Sequence, residues 1–139
     1  MTKARVAAKI LLWAVTLFLA LVCLRSGVTK LPADGFWVRD FRRWGYPGWF
    51  RVAVGVAELI ACAMLLVPRL ASYGAALFAA VMLGAIYTHA SHGEQVRLPF
   101  NAVLLALSLV VLYARRPGFL KRRAPAANAA DVPRPAQIS

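Results

Sequence analysis

The sequence predicts an all-α protein, an antiparallel four-helix transmembrane bundle with an interfacial amphipathic segment between helices 1 and 2. Three observations predict it. Hydrophobic residues make up 61% of the 139-residue chain and charged residues only 16%, whereas soluble domains are roughly 45–50% apolar even with glycine counted. Four apolar stretches run along the chain, each close to the ~20 residues that a spanning helix needs. Between the first two, seven of the fifteen aromatic residues crowd into Phe36–Phe50. The formal net charge is +12, from 17 Lys and Arg against 5 Asp and Glu. These charges sit between apolar stretches and not along one soluble face. That distribution suits anionic lipid head groups and argues against nucleic acid as a partner.

The first stretch is Val6–Leu24, interrupted by Lys9. It has a basic start, but it is long, Arg25 follows it, and it carries no small-x-small cleavage site, so it is read as a retained span. The second, Val52–Val67, is extended by Trp49 and Phe50 and interrupted once, by Glu58. The third is Leu70–Ser91. Pro68 and Arg69 link it to the second, so those two helices must be antiparallel neighbours. The fourth is Leu98–Ala114. Together they define a transmembrane domain at residues 1–118. A basic tail rich in Ala and Pro, at 119–139, is expected to be disordered. With four spans, ten Lys and Arg lie on the side of the termini and seven on the other. The bias favours an inner (plasma) membrane protein with both termini cytoplasmic.

In the first loop, Trp37, Phe41 and Trp44 follow i, i+4, i+7 spacing, and Arg39, Arg42 and Arg43 fall mostly on the opposite face. This is the pattern of a short helix lying in the membrane interface. Two readings stand: a plain aromatic belt, or a roof over a cavity between the helices. On the second reading Trp37, Phe41, Trp44, Trp49, Tyr87 and His89 are candidate cavity or ligand-lining residues.

Glu58 is the only acidic residue inside a span. A carboxylate there costs several kcal/mol unless it is paired or protonated. If the first helix continues to Pro32, Lys30 shares a helical face with Thr16 and Cys23, and it is the preferred partner, with Arg25 and Arg51 as rivals. The pair either locks the bundle or handles protons and orients a ligand. His89 and His92 stand one turn apart with Glu94 near by, but no third ligand has a fixed spacing, so no metal site is expected. Asn101 and Ser108 are expected to bond between helices. Cys23 and Cys62 form no C-x-x-C motif. Cys23 lies near the outer end of the first helix and Cys62 past the middle of the second, so the two thiols differ by roughly 15 Å in depth, too far for a disulfide.

The pieces Arg25-Ser26-Gly27-Val28-Thr29-Lys30-Leu31, Trp44-Gly45-Tyr46-Pro47, Val54-Gly55-Val56-Ala57-Glu58-Leu59, Pro68-Arg69 and Met82-Leu83-Gly84-Ala85-Ile86-Tyr87-Thr88-His89 resemble, in order and spacing, the DoxX family of small four-span membrane proteins. The resemblance covers about residues 9–117. It implies a four-helix bundle with cytoplasmic ends, and Lys30 and Glu58 as characteristic positions. The family is named for a subunit of a thiosulfate–quinone oxidoreductase. Other relatives are linked to thiol homeostasis, assembly or cargo transport.

The expected function is a non-catalytic membrane subunit or anchor of a redox complex, with a cavity for quinone or lipid. The alternatives are an oxidoreductase that reduces quinone itself and an assembly factor for membrane proteins. No catalytic residue is assigned and no intrinsic cofactor is expected. Membrane lipids, an oxidoreductase subunit and a second copy of the chain are the candidate partners.

Overall fold

The computed structural model describes residues 2–117. The tail assigned to 119–139 lies outside them. Five α-helices follow one another: α1 (Lys3–Lys30), α2 (Phe36–Arg43), α3 (Gly48–Leu66), α4 (Ala71–Ser91) and α5 (Leu98–Ala114). A single 3-10 turn, Gln95–Arg97, leads into α5. The four helices other than α2 supply spans long and apolar enough to cross a membrane, the last of them Gln95–Ala114.

Local chemistry sets the boundaries. Pro68 forbids α3 from continuing, because the residue before a proline is pushed out of the helical region; Val67 is extended. Pro99 sits in the first turn of α5, where its missing N–H is not needed. The α1 helix is longer than its apolar run. It continues six residues past Leu24 to Lys30, because Ser26 and Lys30 find partners in Glu58 at that end and Arg51 takes the Lys30 carbonyl.

Neighbouring helices pack in the order α1, α3, α4, α5, and α5 returns to α1 along the sparsest of the four seams. The core runs along the bundle axis through Leu19, Cys23, Ala61, Leu65, Phe78 and Leu104. Two crossings have no room for a side chain. A Cβ on Gly27 would stand 2.8 Å from the Gly55 carbonyl oxygen, and one on Gly74 would stand 2.9 Å from that of Ala61. Close approach at small residues replaces the hydrophobic drive that helices lack in lipid.

This register corrects the depth assigned to the cysteines. Gly27 faces Gly55, so four residues inward Cys23 faces Leu59. Cys62 is then only three residues further along, roughly 4.5 Å at the helical rise. Both thiols are free and buried in one core. The earlier figure came from placing Cys23 near the outer end of α1.

The polar residues of α5 also depart from expectation. Ser108 donates to the Leu104 carbonyl of its own helix at 2.7 Å, the i−4 acceptor that is always within reach of a helical serine. The Asn101 amide, 8% exposed, makes no hydrogen bond among the described residues, and its Nδ2 is fully buried.

Gly27→Val should separate α1 from α3 and lower stability in detergent by about 1–3 kcal/mol, the cost of overpacking a close contact. The measurement is thermal unfolding followed by helical circular dichroism. An unchanged midpoint would mean that the two backbones do not meet here.

Candidate functional site

The Lys30–Glu58 pair stands at the α1–α3 crossing that the two glycines permit. Lys30 Nζ lies 2.9 Å from Glu58 Oε2 and 3.3 Å from Oε1, with both side chains almost wholly buried. Ser26 completes the group: its hydroxyl donates to Glu58 Oε1 at 3.1 Å and accepts from Lys30. The Trp37 ring closes over the ammonium at 4.0 Å, and its indole N–H donates to Thr29. A cation between a carboxylate and an aromatic face is compensated on both sides.

Neither rival meets Glu58. Arg51 is buried, and its guanidinium donates to the carbonyls of Lys30 and Pro32, the latter at 2.7 Å. It thereby caps the carbonyl end of α1, where positive charge is favoured. Arg25 is exposed.

A second polar group gathers around Glu94, in the link between α4 and α5. His89 Nδ1 lies 2.6 Å from Glu94 Oε2, and the Trp44 indole donates to Oε1 at 3.3 Å. Arg43 of α2 pairs with Glu94 and with Asp40. Arg97 pairs with Asp40 at 2.9 Å and stands 3.7 Å from Glu94. Tyr46 and Thr88 share a hydrogen bond of 2.9 Å. These bonds fasten α2 and the turn after it to α4 and the α4–α5 link. Burial pushes the Glu94 carboxyl up, but the hydrogen bonds from His89 and Trp44 and the charges of Arg97 and Arg43 outweigh it and hold the group below the usual carboxylate range.

Between these two groups lies a cavity of about 770 Å³. Its wall is mostly apolar, with Phe41, Phe50, Phe78, Met82 and Leu104 among its lining. Phe41 and Trp44 are buried in the roof, their rings 5.2 Å apart, and Trp44 meets the His89 ring edge-on at 5.2 Å. Exposed residues border the cavity on α1 (Arg25), α4 (Tyr87), the 3-10 turn (Val96) and α5 (Phe100).

Of the residues singled out from the sequence, Trp37, Phe41, Trp44, Tyr87, His89, Lys30, Glu58 and Arg25 line this one cavity. Tyr87 does so from the rim, 71% exposed. Trp49 does not belong to it. Also 71% exposed, it points away, because Phe50, the next residue round the helix, is the one that packs on Phe41 and Tyr46.

The Glu94 network escaped the sequence reading, apart from the nearness of Glu94 to the histidines. Its signal was scarcity. In a chain with 5 acidic and 17 basic residues, an acid has cationic partners to choose from, and Asp40 and Glu94 both take them.

The fold and site together define a four-span membrane protein with a roofed cavity between its helices. The model of the DoxX-like family matches residues 14–111, and the chain belongs to that family. An uncharacterized protein of Bacillus subtilis (strain 168), YdgD, is 30% identical over 97 residues, which cover 67% of this chain and 80% of that one. No solved structure matches.

Two outcomes follow from this geometry. Lys30→Ala strands a buried carboxylate and should cost ~3–5 kcal/mol. Glu58→Gln should cost less, and the double variant should regain part of the loss. Unfolding of the four proteins in one detergent forms the cycle, and strictly additive losses would rule the pairing out. The second outcome concerns pH. A carboxyl held low in the folded state contributes stability that is present above its ordinary value of ~4.3 and lost as pH falls through the folded value. The Trp emission of the roof should therefore show a transition below about pH 4.3. Glu94→Gln should weaken that acid transition.

Proposed function

We propose that the protein is a membrane subunit of a redox complex and holds a quinone-type ring in this cavity, while a partner carries the redox centre. The observation that supports this is the cavity itself. Its volume lies within the ~300–1,000 Å³ of small-molecule sites, and its wall is apolar. Polar groups converge on it from two ends: the Lys30–Glu58 pair at one, His89 and the unpartnered Asn101 amide at the other.

A quinone ring suits such a wall. Trp37, Phe41 and Trp44 offer faces for stacking, and its two oxygens need polar partners that lipid tails cannot supply. The protein's own part is to bind, orient and exclude water. Electron transfer needs a carrier such as a flavin, haem, iron–sulfur cluster or cysteine pair, which on this reading the partner brings. The membrane is the inner (plasma) membrane, with both termini in the cytoplasm, as the Lys and Arg bias favours.

Native mass spectrometry of the protein extracted in mild detergent tests the reading. The expected result is a stoichiometric quinone mass together with an oxidoreductase chain. Ala85→Phe fills the cavity without touching a polar group and should lose the small molecule while keeping the fold. Retention of a phospholipid instead would convert the site to a lipid site. Quinone reduction by the isolated chain would make the protein an enzyme in its own right.

A further inference from the structure

The histidine end of the cavity has a polarity of its own. An ionised carboxylate only accepts hydrogen bonds. Glu94 therefore fixes the His89 proton on Nδ1, 2.6 Å from its Oε2. Arg43 of α2, Trp44 just after it and Arg97 from the α4–α5 link hold the carboxylate in that role. In the neutral ring Nε2 then carries a lone pair, and it has no protein partner among the described residues.

Asn101 is the second observation. His89 lies two residues from the end of α4 and Asn101 three residues into α5. On antiparallel neighbours joined by a short link, that puts them at about the same depth. Both line the cavity and both are more than nine-tenths buried. Asn101 has no partner among the described residues, and a buried amide left so costs about 1–3 kcal/mol. A ligand oxygen that meets both groups removes that cost.

We infer that this end of the cavity is a hydroxyl-selective subsite, built for an aromatic diol or phenol over the corresponding quinone. The ligand O–H donates to His89 Nε2, and its oxygen accepts from the Asn101 amide. A quinone carbonyl in the same place sets one lone pair against another at Nε2. Glu94 is a positioning residue, since it acts on the ligand only through the imidazole it orients. The inference rests on the quinone-type reading of the cavity and adds to it a preference for the reduced form.

The test uses tetramethylhydroquinone and tetramethylquinone, which differ only at the ring oxygens. Each is titrated anaerobically at neutral pH into the full-length protein in detergent, with Trp quenching as readout. The diol should bind about three- to tenfold more tightly, the worth of a net hydrogen bond. Glu94→Gln frees the tautomer, because an amide can donate as well as accept. It should bring the ratio close to one chiefly by tightening quinone binding, because an Nε2–H can donate to the carbonyl, whereas a hydroxyl pairs with either tautomer.

The ¹⁵N shifts of the imidazoles give a readout that a merely structural Glu94 would not move. His89 should carry its proton on Nδ1 in the parent protein and exchange between nitrogens in the variant. Equal affinities for the two compounds, or a proton on Nε2, overturn the subsite and leave the cavity reading standing. If neither compound binds, the cavity reading falls with it. The comparison on the parent protein decides even where Glu94→Gln does not fold.

Discussion

A carboxylate in hydrocarbon is tolerable only if something positive comes to it, and the α1 end of this bundle is arranged around that requirement. Glu58 projects from α3 into the apolar core, and Lys30 reaches it from the last turn of α1. For the pair to form, the two backbones must come close, so Gly27 and Gly55 face each other. Helix α1 must also run past its apolar stretch, so Arg51 gathers the carbonyls it leaves at that end. The Trp37 ring covers the ammonium and brings α2 down onto it. Measured against a well-packed apolar core, such an ion pair adds little to stability. Its effect is to fix which helices meet and at what register.

The roof has a separate anchor at the other side of the cavity. Glu94 takes bonds from α2, α4 and the 3-10 turn at once. With α2 fastened over Lys30 at one end and to Glu94 at the other, the space beneath stays open. The side chains that line it are held from behind: Lys30 by Glu58, Trp37 by Thr29, His89 by Glu94. Polar groups fixed in this way keep their orientation without a ligand.

The spans, their order and the amphipathic α2 were legible because hydropathy and helical periodicity are local signals. Glu58 and Lys30 were legible because a single acid in a span must find a base and only a few were near. What escaped depends on register. Placing Cys23 near the outer end of α1 set it at the wrong depth against Cys62, since the true end is set by Ser26, Lys30 and Arg51. Asn101 and Ser108 look alike on one face of α5, but the serine closes onto its own helix while the longer amide is left toward the cavity. Trp49 and Phe50 are neighbours of similar chemistry, and only the direction of the first turn of α3 separates the exposed ring from the packed one. Asp40 and Glu94 are far apart in sequence, and their shared arginines come together only once α2 is folded back.

The sparse seam between α1 and α5 has a consequence for how occupancy is set. Residues that line the cavity are exposed at that seam, Arg25 and Phe100, as well as on α4, where Tyr87 stands, and a guest that enters at the seam would come from among the acyl chains. Its supply is then counted as a mole fraction of the surrounding leaflet, and its search is two-dimensional. By that route, a compound concentrated in the bilayer is supplied better than one of equal affinity that stays in water. Membrane composition therefore acts as the dial on saturation.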